Sequence, residues 1–117
     1  MLMKYVSHTL TALLLSIGLV AAQSRIQTST IQSDIACDHC TKCESCGQSL
    51  QKSLFKIKGV KDLTIVEDKQ QFVVTYDTRK TDIETIRQQI SRSGFRADDI
   101  KADPVAYEKL DGCCKKR

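Results

Sequence analysis

Cys43-Glu-Ser-Cys-Gly-Gln-Ser-Leu-Gln-Lys-Ser-Leu-Phe-Lys-Ile-Lys-Gly-Val60 is the stretch whose reading decides the fold. Leu50, Leu54 and Ile57 recur at i, i+4 and i+7 with polar residues between them, the period of an amphipathic helix, and Gly59 ends the run. The chain enters this helix through Cys43 and Cys46. The same spacing repeats just upstream at Cys37 and Cys40, so four thiols stand at intervals of three in one short run.

Downstream the apolar period changes. Leu63 and Ile65 alternate with polar residues, Glu67 to Gln70 reads as a polar turn, and Phe72, Val74 and Tyr76 alternate again, which predicts a β-hairpin. Thr81-Asp-Ile-Glu84 reads as a capping box with Thr81 as the cap, and Ile83, Ile86 and Ile90 continue at helical spacing to Gly94. Before the cysteines, Ile26 to Ile35 is rich in Ile, Thr and Ser and suits a strand. After Gly94, Phe95 to Ile100 is expected to supply a short last strand. The order strand, helix, strand, strand, helix, strand is the α+β, ferredoxin-like βαββαβ sandwich, with both helices on one face of an antiparallel sheet. Asp103-Pro104 predicts a short C-terminal helix through Leu110, which Gly112 would end, leaving Cys113 and Cys114 beyond it.

Lys4, an apolar run from Leu10 to Ala22 and the small residues Val20-Ala21-Ala22 read as a secretory signal peptide over residues 1–22, with cleavage before Gln23. The apolar run is shorter than the ~20 residues that span a bilayer, so no stable membrane insertion is expected after cleavage. The expected location is secreted or periplasmic. The remaining chain divides into one small domain, residues 23–100, and a tail, residues 101–117. The chain has 117 residues and a formal net charge of +4, with acidic and basic residues interspersed. Without a basic stripe or aromatic interleaving, no nucleic-acid partner is indicated. Lys115-Lys116-Arg117 reads as a solvated tail. No catalytic constellation is present: there is no Ser-His pairing signal and no phosphate loop.

Six cysteines in a small exported chain usually form a disulfide framework. Here four lie close together and Cys113 and Cys114 are adjacent, so bridges within either group would close loops too short to stabilise much. A bridge from the cluster to the tail remains open. A CxxC at a helix start favours the thiolate, which is the ligating form, and two close sulfurs suit soft Cu(I) or Hg(II) rather than Mg²⁺ or Ca²⁺. If residues 37–46 were one helix, Cys37 and Cys46 would be roughly 13 Å apart on opposite sides, so four sulfurs can share an ion only across an irregular loop. His39 is a possible accessory ligand, though a polar-loop histidine is commonly just solvated. Cys113 and Cys114 can cap an ion, pass it on or pair with each other.

Other chemistries fit the thiols less well. Four thiolates suit a structural Zn(II) site. An iron-sulfur cluster is disfavoured because the run ends CxxCG rather than CxxxCP. Thiol-disulfide exchange also uses CxxC at a helix start, but there is no Trp before the motif and Pro104 lies too late to face it as a cis-proline.

Cys43-Glu-Ser-Cys46 followed by Leu50, Leu54, Ile57 and Gly59-Val60 resembles the heavy-metal-associated domain family. Val74-Thr-Tyr-Asp77 resembles its third strand, and Ser93-Gly-Phe-Arg-Ala97 its passage from second helix to last strand. With the signal segment, the chain is most similar to periplasmic mercury-binding and secreted copper-chaperone-like members. The resemblance implies metal binding by Cys43 and Cys46, shielding of the site edge by Phe95, which reads equally well as a core residue of a short strand, and transfer to or from a membrane metal transporter. The family commonly has Met two residues before its first cysteine. Thr41 stands there before Cys43 and Ile35 before Cys37, as though an insertion had doubled the CxxC turn. Helix register favours Cys43 and Cys46 as the inherited pair, with Cys37 and Cys40 as the second.

Overall fold

The computed structural model describes residues 24–35 and 44–115. The signal segment with Gln23, residues 36–43 and the last two residues lie outside them. Three antiparallel strands form one sheet in the order β1-β3-β2, with β1 at Ile26–Gln32, β2 at Val60–Val66 and β3 at Gln71–Asp77. The hairpin β2-β3 falls where period-two alternation predicts it, and Gln70 turns it with φ 54°. On the buried side of β3, Phe72, Val74 and Tyr76 pair with Ile65, Leu63 and Val60 of β2, and with Ile31, Ser29 and Gln27 of β1.

Two helices, α1 (Leu50–Phe55) and α2 (Ile83–Arg92), cover that face. Leu50 and Leu54 of α1 and Ile86 and Ile90 of α2 are fully buried with Phe72, Val74 and Ile31 in a single core, as their helical spacing requires. A π-helical turn, Glu44–Ser49, precedes α1. The fold class is therefore the expected ferredoxin-like α+β sandwich. Among the described residues no helix is long and apolar enough to cross a membrane.

Two local expectations are corrected. The cap of α2 is Asp82, one residue later than predicted: its carboxylate accepts from the Thr85 N–H at 2.7 Å, while the Thr81 hydroxyl is buried with no hydrogen-bond partner among the described residues. Asp beats Thr here because its carboxylate reaches the third amide of the helix and complements the dipole. That hydrogen bond holds the Asp82 carboxyl below its ordinary pKa.

The second correction concerns Phe95 to Ile100, which does not extend along β1. Ala97 bridges back to Ile100, and Asp98 sits in the left-handed region with φ 52°. Instead of a strand, Asp98 alone meets the sheet: its N–H donates to the Gln32 carbonyl at 2.7 Å and its carboxylate accepts from the Gln32 N–H at 2.9 Å. One residue thus copies one rung of an antiparallel ladder, and the chain then turns away. The tail helix α3 (Pro104–Glu108) opens as expected, with the Asp103 carboxylate accepting from the Ala106 N–H at 3.0 Å, but it ends short of Leu110.

At the far end of β1, Asp77 is fully buried and ion-paired with Arg25. The Arg25 hydrogen bond and then the Arg79 N–H hold its carboxyl below the usual range. A depressed carboxyl contributes stability that is complete above its unfolded pKa of about 3.9 and lost as pH falls through the folded value. Acid unfolding should accordingly steepen below pH ~4, and Asp77→Asn should flatten that part of a stability-against-pH curve. A second test addresses Gly59, which has φ 101° and would place a Cβ 2.7 Å from the Lys80 Cβ. Gly59→Val should cost about 1–3 kcal/mol through backbone strain, read by chemical denaturation; an unchanged midpoint would refute this role.

Candidate metal centre

The cysteine run is held at both ends. Ile35, just before it, and Leu50, just after it, are both buried in the one core. Between them, Cys37, His39, Cys40 and Cys43 lie outside the described residues. Cys46 is placed by its backbone in the π-helical turn that leads into α1, the helix start that the register of Leu50 and Leu54 predicts. Gly47 follows it and is buried. The first turn of α1 carries no acidic residue, and the π-helical turn before it opens on Glu44, between Cys43 and Cys46 in sequence. Among the described residues no three His, Cys, Asp or Glu side chains gather as a ready metal site.

The tail returns to this end of the molecule. The Asp103 N–H donates to the Ser91 carbonyl and the Ser91 hydroxyl donates to the Lys101 carbonyl at 2.7 Å, fastening the start of α3 to α2. Gly94, with φ 98°, lets α3 cross closely: a Cβ there would lie 3.0 Å from the carbonyl carbon and oxygen of Ala106. Ala106, Lys109 and Leu110 then face Ser49 of the π-helical turn and Leu50 and Ser53 of α1 around an open cavity of about 240 Å³. Past Asp111, a 3-10 turn at Gly112–Cys114 places the backbone of Cys113, and Cys114 is 1% exposed within the core. Of the two tail cysteines, Cys114 belongs to the same buried cluster as Leu50 and Ile35.

A charged latch holds the chain just before the run. The Arg96 guanidinium donates to both carboxylate oxygens of Asp34 at 2.9 and 3.3 Å, to the Ser33 carbonyl at 3.1 Å and to the Asp98 carbonyl at 2.6 Å. Asp98 in turn accepts from Arg87 Nε of α2 at 2.8 Å, a hydrogen bond that raises the Arg87 pKa. Sequence reasoning missed Asp34, Arg87, Arg96 and Asp98, because charged residues in loops and on helix faces read as solvated. The only available signal was the density of Arg and Asp around Phe95.

Residues 41–96 match the family described as Heavy-metal-associated domain. Solved structures share the fold. Oxidized MerP from Ralstonia metallidurans CH34 is 23% identical, with a TM-score of 0.51, covering 62% of this chain and 94% of its own. A putative copper-ion-binding protein from Bacillus anthracis str. Ames is 19% identical, with a TM-score of 0.52 and coverage of 64% and 100%. The CopZ metallochaperone is 19% identical, with a TM-score of 0.51 and coverage of 61% and 98%. A comparison with curated proteins gave no match. At these identities the structural likeness establishes the fold.

The close crossing at Gly94 yields a test. Gly94→Ala should lift α3 from α2 and raise the alkylation rate of Cys114 in the reduced chain several-fold. An unchanged rate, monitored by mass spectrometry of the C-terminal peptide, would show that the tail is held by other contacts.

Proposed function

We propose that this chain is an exported, non-enzymatic carrier of a soft heavy-metal ion, bound through Cys43 and Cys46, with Cys37 and Cys40 as a second pair. The observation that carries the reading is the family match over residues 41–96, combined with a Cys46 backbone in the helical turn that opens α1. Thiolates at such a helix start are stabilised by its amides and dipole, and two of them form a low-coordinate soft site. Cu(I) and Hg(II) fit that donor set best, and Zn(II) fits if all four thiolates converge. His39, Cys113 and Cys114 are accessory candidates. Likeness to MerP and to the CopZ metallochaperone supports a carrier role. One further similar structure is a copper binding domain from the P-type ATPase HMA7 (TM-score 0.50), which supports a membrane transporter as the partner that exchanges the ion thiolate by thiolate.

The test is an anaerobic Cu(I) titration of the reduced chain against a competing chelator, with thiols counted before and after. Tight uptake protecting two or four thiols is expected. Cys43→Ser with Cys46→Ser should weaken the first equivalent by more than the about 10- to 100-fold that outer-shell groups carry, and Cys37→Ser with Cys40→Ser should weaken it less. The reverse order would reassign the primary pair. Weak uptake with reoxidation to a defined disulfide would replace the carrier reading with a redox one.

A further inference from the structure

The entry to the cysteine run is fixed by a side chain where a ferredoxin-like sheet would use a fourth strand. Past Gln32, β1 has no ladder partner on its outer side among the described residues, and the single Asp98 rung is the last main-chain tie there. Ser33, Asp34 and Ile35 must nevertheless hold one path, because Ser33 and Ile35 are buried. The Ser33 N–H is taken by the Gln70 carbonyl at 2.9 Å, whereas its carbonyl and the Asp34 carboxylate are both held by Arg96. Arg96 itself is stationed by the Asp98 carbonyl and comes directly after Phe95, which is buried against Phe72. One guanidinium therefore ties the end of β1 to the turn after α2, two residues before Ala36.

We propose that Arg96 is the positioning residue of the metal centre: it fixes where the chain enters the cysteine run, and so sets how well the first thiolates are pre-organised for the ion. This rests on the carrier reading above. The geometry calls for arginine specifically. Its three nitrogens serve four acceptor oxygens on three residues in a planar fork, which a lysine ammonium cannot copy even though it keeps the charge. Pre-organisation of this kind appears in affinity because a loosened entry must be ordered again each time the ion binds. Arg96 acts here through the path of the chain at Ser33 and Asp34, as a positioning residue rather than a ligand.

The experiment compares Cu(I) affinity and chelator-driven release for the wild-type chain, Arg96→Gln, Arg96→Lys and Arg25→Lys, each with its thermal midpoint. Arg25→Lys weakens the ion pair with Asp77 at the opposite end of β1 and serves as the stability control. Both Arg96 variants should bind about tenfold more weakly, at the lower end of outer-shell effects, and release faster. Arg25→Lys should lower the midpoint while leaving affinity unchanged. Failure of Arg96→Lys to rescue would separate the fork from a general effect of positive charge. If wild type binds tightly and Arg96→Gln matches it within twofold, or if Arg25→Lys lowers affinity as much, the positioning role is overturned while the carrier reading stands. A wild-type chain that takes up no Cu(I) would overturn the carrier reading and this inference together.

Discussion

The edge-to-face contact of Phe72 and Phe95, with ring centroids 5.8 Å apart and planes at 82°, is the joint on which the architecture turns. Phe72 lies on the central strand, between Ile31 of β1 and Ile65 of β2, and both rings are buried. The geometry is the favourable one for aromatic quadrupoles and adds specificity to a large apolar burial. Its position matters more than its energy. Phe95 is the first residue after the Gly94 turn, so anchoring its ring to the sheet fixes the exit of α2. From that exit Arg96 and Asp98 reach the end of β1, and at Gly94 the tail crosses the helix layer.

What was legible in the sequence is what repeats. The period-two alternation of Phe72, Val74 and Tyr76 and the helical spacing of Leu50 with Leu54 and of Ile86 with Ile90 reflect the burial of one face, and burial leaves a pattern. The hairpin and both core helices come from such signals, and the Asp103-Pro104 helix start from a cap and a first-turn proline. Choosing between Thr81 and Asp82 as cap depends on which side chain reaches an amide, and both residues satisfy the composition rule. The short apolar content of Phe95 to Ile100 suggests a strand, but Asp98 spends both its backbone amide and its carboxylate on Gln32 and turns the chain. Local chemistry overrides propensity there.

The candidate centre divides in the same way. The cysteine spacing and the Gly59-Val60 helix stop make the metal reading legible, and the family match over residues 41–96 agrees with it. The residues that frame the run were not legible, because Arg96 meets Asp34 across 62 positions and no local pattern announces so distant a pair. Burial of Cys114 was hidden for a related reason. It depends on α3 lying against α2, which in turn depends on an absent side chain at Gly94.

Replacing the fourth strand by a one-residue rung has a consequence for modularity. In a four-stranded sheet, any change of length after the second helix would shift register along a whole edge. Here the sheet is complete at Asp98, and everything beyond is attached to the helix layer at separate points, Ser91, Gly94 and Leu110. The segment between Asp98 and Asp103 can therefore vary in length without disturbing strand pairing. The far end of the tail is not free in the same way, because Leu110 and Cys114 pack into the one core of the sandwich that carries the cysteine run.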